Sequence, residues 1–95
     1  MTSKQRAYLR SLGNALEPIF QIGKKGLSEE LITELDAALE ARELIKVRIL
    51  KSCSADLREL AESVARSLAA DLVQTIGNNF LIYREALEGR KIELP

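Results

Sequence analysis

Two lysines stand between two glycines in "QIGKKGLSEE", Gln21 to Glu30, where an apolar run gives way to a helix start. Gly23 and Gly26 allow the backbone to approach a ligand with no Cβ in the way. The N–H groups that open the following helix, at the positive end of its dipole, favour an anion. Lys24 and Lys25 add two full charges at the same spot. Phosphate is the ligand this chemistry suits. The same residues also suit a strand-to-helix turn whose lysines serve solubility, and spacing alone leaves both readings open. Glu29 and Glu30, in the first helical turn, compete for the dipole.

Other phosphate signatures are absent. Leu27 and Ser28, not Lys and Ser, follow the second glycine, so the loop is not a nucleotide-binding P-loop, and the chain contains no GxGxxG. The GxxG loop of KH domains, which clamps backbone nucleotides, is chemically nearer. That loop joins two helices, however, whereas this one follows a strand. Enzymatic chemistry has little to work with. There is no histidine to activate a serine or cysteine. Cys53 has no second cysteine for zinc or dithiol chemistry, and Glu30, Glu34 and Asp36 read as a solvated helix face. The chain is read as a non-enzyme without metal or cofactor. One further feature, "NNFLIYR", offers Tyr83 beside Arg84; an aromatic on an open sheet face stacks bases in single-strand readers.

The elements that position these residues are legible from periodicity. "TSKQRAYLRSLG" opens on Thr2 with Gln5 three residues later, a capping box, and carries an apolar stripe of Tyr8, Leu9 and Leu12 before Gly13-Asn14 ends it. "PIFQIG" is a short strand whose Pro18 suits a strand start or an edge. "LSEELITELDAALEARE" is an amphipathic helix capped by Ser28, with Leu27 and Ile32 as a hydrophobic staple. "LIKVRILK" alternates: Ile45, Val47 and Ile49 point to one face, Lys46, Arg48 and Leu50 to the other. Ser54 is the expected cap of "ADLRELAESVARSLAA". "LVQTIG", Gly77-Asn78-Asn79 and "FLIYR" read as a hairpin, and the tail "EGRKIELP" as a short extended piece. The order helix, strand, helix, strand, helix, strand, strand predicts an α/β (α+β) domain over residues 1–95, a four-stranded mixed sheet with three helices.

Composition sets the partners. Fourteen Lys and Arg balance fourteen Asp and Glu, which by itself argues against nucleic acid. The distribution argues otherwise. Between Met1 and Lys25 five cations face one acid, Glu17; between Ser28 and Glu43 six acids face Arg42. Lys46, Arg48 and Lys51 follow with no acid among them. A neutral chain can therefore carry a basic face. One cysteine, no long apolar run and no leader pattern predict a soluble cytoplasmic protein.

The segments "KQRAYLRSLGNALEPIFQIGKKGLSEE", "ALEARELIKVRIL", "DLVQTIGNNFLIYR" and "RKIELP" together resemble the CRM domain (chloroplast RNA splicing and ribosome maturation) of the small bacterial YhbY type. The conjunction of GKxGL, "ELIKV" and "IG…YR", in order over the whole chain, carries the resemblance. Two places differ from the pattern: Asn78-Asn79, where a basic or hydroxyl residue often follows the glycine, and "AAD" at Ala69–Asp71, where a glycine is common. The resemblance implies a fold similar to the carboxyl-terminal domain of translation initiation factor three. It implies RNA binding in association with precursors of the large ribosomal subunit; the chain itself is expected to be a monomer without a membrane partner. The family loop falls on Gly23, Lys24, Lys25 and Gly26, and the surrounding basic surface would draw on Lys4, Arg6, Arg10, Lys46, Arg48 and Arg84. Two alternatives stand beside it: a protein-docking module using the acidic helix Ser28 to Glu43, and a phosphometabolite-binding domain using GKKG alone.

Overall fold

A computed structural model describes residues 1–53 and 55–95. Its elements follow the predicted order: α1 (Ser3–Gly13), β1 (Phe20–Ile22), α2 (Glu29–Arg42), β2 (Leu44–Ile49), α3 (Leu57–Ser67), β3 (Asp71–Ile76) and β4 (Asn79–Tyr83). The four strands form one mixed sheet in the order β1-β2-β4-β3. β1 lies parallel to β2 at one edge, while β4 runs antiparallel to both of its neighbours.

The helix starts obey local chemistry. Thr2 and Gln5 close the capping box on α1, and the Ser28 hydroxyl accepts from the Leu31 amide to begin α2. α3 is capped by Asp56, whose carboxylate accepts from the Glu59 amide; Ser54, the expected cap, lies outside the described residues. The β3–β4 hairpin turns on two residues, Gly77 with φ +58° and Asn78, since Ile76 pairs with Asn79. A positive φ at the first position alone matches the primed turns that fit strand twist. Gly13 has a different task from stopping a helix. It is the last residue of α1, is buried, and leaves room for Leu81, into whose δ-carbons a Cβ would project.

Side-chain alternation divides the core between the two sheet faces. Ile22, Ile45, Val47, Ile49, Phe80 and Ile82 pack beneath Leu35 and Leu39 of α2 and Ala61, Val64 and Ala65 of α3. Leu44, Val73, Leu81 and Tyr83 face the other way and meet Leu9 of α1. The alternation expected for β2 is present: Ile45, Val47 and Ile49 are buried, Lys46 is half-buried and Arg48 exposed. β3 carries a bulge between Leu72 and Gln74 that the sequence did not announce.

Two backbone positions stand out among non-glycine residues: Glu43 with φ +68° and Ala69 with φ +53°. Ala69 follows the C-cap of α3. Its amide donates to the Arg66 carbonyl at 3.3 Å, and the Ala70 amide to the Ala65 carbonyl at 2.8 Å, the paired bonds of a Schellman motif. Glycine normally takes this left-handed position.

Glu43 joins α2 to β2 and is fully buried. Its carboxylate accepts from the amides of Ala86 at 2.7 Å and of Lys91 and Ile92 at 2.6 Å each. Its carbonyl accepts from the Arg84 amide at 2.9 Å. The tail so held turns Ile92 and Leu94 onto the cluster around Leu9, and the Pro95 carbonyl accepts from Gln5 of α1. It forms no added strand. Burial pushes the Glu43 carboxyl upward, but the three amide donors and Lys91 outweigh it and hold the group below the ordinary glutamate range.

Ala69→Gly should stabilise the protein by about 0.5–1 kcal/mol, because relief of the left-handed strain exceeds the added unfolded-state entropy; thermal melts should show Tm rising by a few degrees, and a lower Tm would contradict the cap assignment. A carboxyl held low contributes stability that is present above its unfolded pKa and lost as pH falls through the folded one. Stability should therefore drop as pH falls below about 4.3. Glu43→Gln should cost about 2–4 kcal/mol at neutral pH, since an amide cannot satisfy three N–H donors. Urea unfolding should show this variant with a flatter acid limb; parallel pH curves would contradict the assignment.

Candidate functional site

β1 and β2, being parallel neighbours, direct both their carboxyl ends to one end of the sheet. The chain leaves β1 at Ile22 and enters GKKG, which closes on itself through the Gly26 amide donating to the Gly23 carbonyl at 2.9 Å. Lys24 and Lys25 occupy the two corners of this turn with negative φ, and Gly26 takes φ +68°. The second glycine thus holds a conformation that L side chains adopt only under strain. A Cβ there would meet nothing within 4 Å, so the space in front of the loop is open. Both lysines are exposed, and neither is within 4 Å of a carboxylate among the described residues.

The turn borders a shallow cleft of about 350 Å³ between β1 and the start of α2, lined by Gln21, Gly23, Lys24, Lys25, Gly26, Ser28, Glu30, Leu31 and Glu34. Cations line one side of it and carboxylates the other. The Ser28 cap occupies the Leu31 amide, which removes one helix-start donor from any ligand.

The remaining sequence-predicted residues separate into two groups. Lys4 and Arg48 are exposed, Arg10 and Lys46 are half-buried, and none of the four has a carboxylate within 4 Å among the described residues. The other three are engaged inside the fold. Arg6 donates from Nη1 to the carbonyls of Leu72 at 2.6 Å and Val73 at 3.1 Å, so it satisfies the bulge of β3. Arg84 donates from Nη1 to Asp36 Oδ1 at 2.6 Å and to the Leu68 carbonyl at 3.1 Å, and from Nη2 to the Asp36 carbonyl at 3.0 Å. Its guanidinium ties β4 to α2 and to the end of α3. Tyr83 is buried against Leu9, Leu44 and Leu81, because α1 covers the face on which the ring lies. It has no open face for stacking.

The acidic helix is likewise engaged. Besides Asp36 and Glu43, Glu40 accepts from the amides of Leu87 and Glu88 at 2.9 and 3.1 Å, and those two bonds hold its carboxyl below the ordinary range. Only the amino-terminal acids Glu29, Glu30 and Glu34 are left exposed without partners among the described residues. Sequence offered no local signal for this, since the partners of Glu40 and Glu43 lie more than forty residues away. No helix among the described residues is long and apolar enough to cross a membrane.

A small mixed sheet with helices on both faces and a basic GxxG turn at the ends of its parallel strands defines the class of domain. The chain belongs to the CRS1 / YhbY (CRM) domain family, whose model matches residues 1–84. It is 46% identical over 95 residues to "Probable RNA-binding protein YqeI" of Bacillus subtilis, covering 100% of this chain and 99% of the relative. It is 34% identical to "RNA-binding protein" of Haemophilus influenzae, covering 100% and 95%. The solution structure of the hypothetical protein SAV1595 from Staphylococcus aureus superposes with a TM-score of 0.83 at 49% identity, covering 100% of this chain and 99% of that one.

The division of the cations is measurable. Arg6→Ala should lower stability by about 1–2 kcal/mol through the bulge carbonyls it strands, whereas Lys4→Ala should stay within about 0.5 kcal/mol. Urea midpoints decide this, and an Arg6→Ala variant as stable as Lys4→Ala would return Arg6 to the free surface.

Proposed function

We propose that this protein binds RNA without catalysing a reaction, and that it acts in the cytoplasm as an assembly factor on precursors of the large ribosomal subunit. The observation that carries the reading is the exposed lysine pair at the corners of an open GxxG turn, in a chain whose relatives are named RNA-binding proteins. In this reading GKKG meets a phosphate of the RNA backbone, and Lys46, Arg48, Lys4 and Arg10 hold flanking phosphates. Shape and backbone charge select the site more than base edges do. A protein-docking role for the acidic helix loses support, because Asp36, Glu40 and Glu43 already bind groups of the chain itself.

Charge and close approach are separable. The Lys24→Ala/Lys25→Ala variant should bind large-subunit ribosomal RNA with a shallower salt dependence, the slope of log affinity against log salt falling by roughly 0.7 per lost single-strand contact. Its stability should stay within about 0.5 kcal/mol of the parent. Gly26→Val should weaken binding with both lysines present, through strain at φ +68° and a side chain in the path of the backbone. If both variants bind as tightly as the parent at low and physiological salt, GKKG is only a turn. Sedimentation of a cell extract tests the assembly role: the protein should travel with large-subunit precursors, and its confinement to free fractions would contradict that part.

A further inference from the structure

α1 covers only part of its sheet face. It ends at Gly13 over Leu81, and the next cross-strand row, Gln21–Arg48–Asn79–Ile76, lies beyond it on the same face. Gln21, Arg48 and Ile76 are exposed, while the Asn79 side-chain oxygen is buried with no hydrogen-bond partner. Three turns meet at this end. The Leu50 amide donates to the Ile22 carbonyl at 2.8 Å, and the Ile49 amide to the Asn78 carbonyl at 2.7 Å. A Cβ on Gly23 would lie 3.5 Å from the Ser52 hydroxyl, so the Lys51-Ser52 turn directly flanks GKKG. Lys51 is exposed and has no carboxylate within 4 Å among the described residues.

The two flanks of the loop therefore differ in charge. Towards α2 stand Glu30 and Glu34, in the cleft itself; towards β2 stand Ser52, Lys51 and Arg48. A polyanion gripped at GKKG is repelled on the first side and attracted on the second. Open α/β sheets also bind ligands outside the carboxyl ends of their parallel strands, and GKKG and the Lys51-Ser52 turn stand side by side at the carboxyl ends of β1 and β2. Resting on the RNA-binding reading, we propose that Lys51 and Ser52 form the second jaw of the phosphate grip. A single RNA strand leaves GKKG across them and over Arg48 towards the Gly77-Asn78 hairpin, and does not run along α2.

Binding of a short fluorescein-labelled oligouridylate, followed by anisotropy across a salt series, tests the path. A slope of roughly 0.7 per contact, carried from molar to physiological salt, makes each lost contact worth about four-fold in affinity. Lys51→Ala should lose about four-fold, and Lys51→Ala with Arg48→Ala more than ten-fold, both with unchanged thermal melts. Glu30→Gln/Glu34→Gln should change affinity less than two-fold. The path is overturned if the Lys51 and Arg48 variants bind like the parent, or if the Glu30/Glu34 variant tightens binding ten-fold. The Lys24→Ala/Lys25→Ala protein, measured alongside, separates the two ideas. Weakened binding there with silent Lys51 and Arg48 variants removes the path and leaves the RNA-binding reading intact.

Discussion

The buried carboxylate of Glu43 is the contact on which the arrangement of the other elements depends. It sits where α2 must become β2, at φ +68°, a conformation that a non-glycine residue holds only when its surroundings compensate the strain. Three tail amides supply that compensation. The same bonds bring Ile92 and Leu94 over the cluster containing Leu9, so the seat of α1 on the sheet depends on a side chain it does not touch. Removing the carboxylate would strand three amides and release the tail together.

This joint also organises the charges. Glu43 lies before the first residue of β2, and GKKG lies beyond its last. The six-residue strand lies between them, and the seven residue steps from Glu43 to the level of Gly23 span roughly 23 Å. At the first end Asp36, Glu40 and Glu43 bind Arg84 and the tail. At the second, Lys24, Lys25, Lys51 and Arg48 face solvent. A chain of zero net charge thereby gathers four exposed cations at one end while three of the acids of α2 and its C-cap are engaged at the other, the physical basis of the proposed attraction to an RNA backbone. The carboxylates of Glu29, Glu30 and Glu34 mark the boundary of that end.

What was legible in the sequence was what local signals encode. Period two in "LIKVRI" gave the register of β2, the Thr2–Gln5 box and Ser28 gave two helix starts, and the turn chemistry around GKKG gave its place between β1 and α2. What was not legible depended on distant partners. Residue type and resemblance point Arg6, Arg84 and Tyr83 to a binding surface; charge and aromaticity cannot distinguish a side chain facing water from one satisfying a remote carbonyl or lying under a helix. Asp36 reads as solvated for the same reason, and nothing local marks Glu40 and Glu43 as bonded to a distant tail. Ala69 is intermediate: "AAD" marked an absent glycine, and the left-handed φ there supplies the reason.

RNA should meet the end of the sheet bearing GKKG, and not the acidic helix. Amide chemical-shift mapping by NMR during titration with single-stranded RNA tests it most directly. Gly23, Lys24, Lys25, Gly26 and the adjoining ends of β1 and β2 should shift and saturate together, while the amides of α2 beyond its first turn and the tail held by Glu43 should not move. Shifts concentrated along Asp36–Glu43, with the loop amides unmoved, would contradict it.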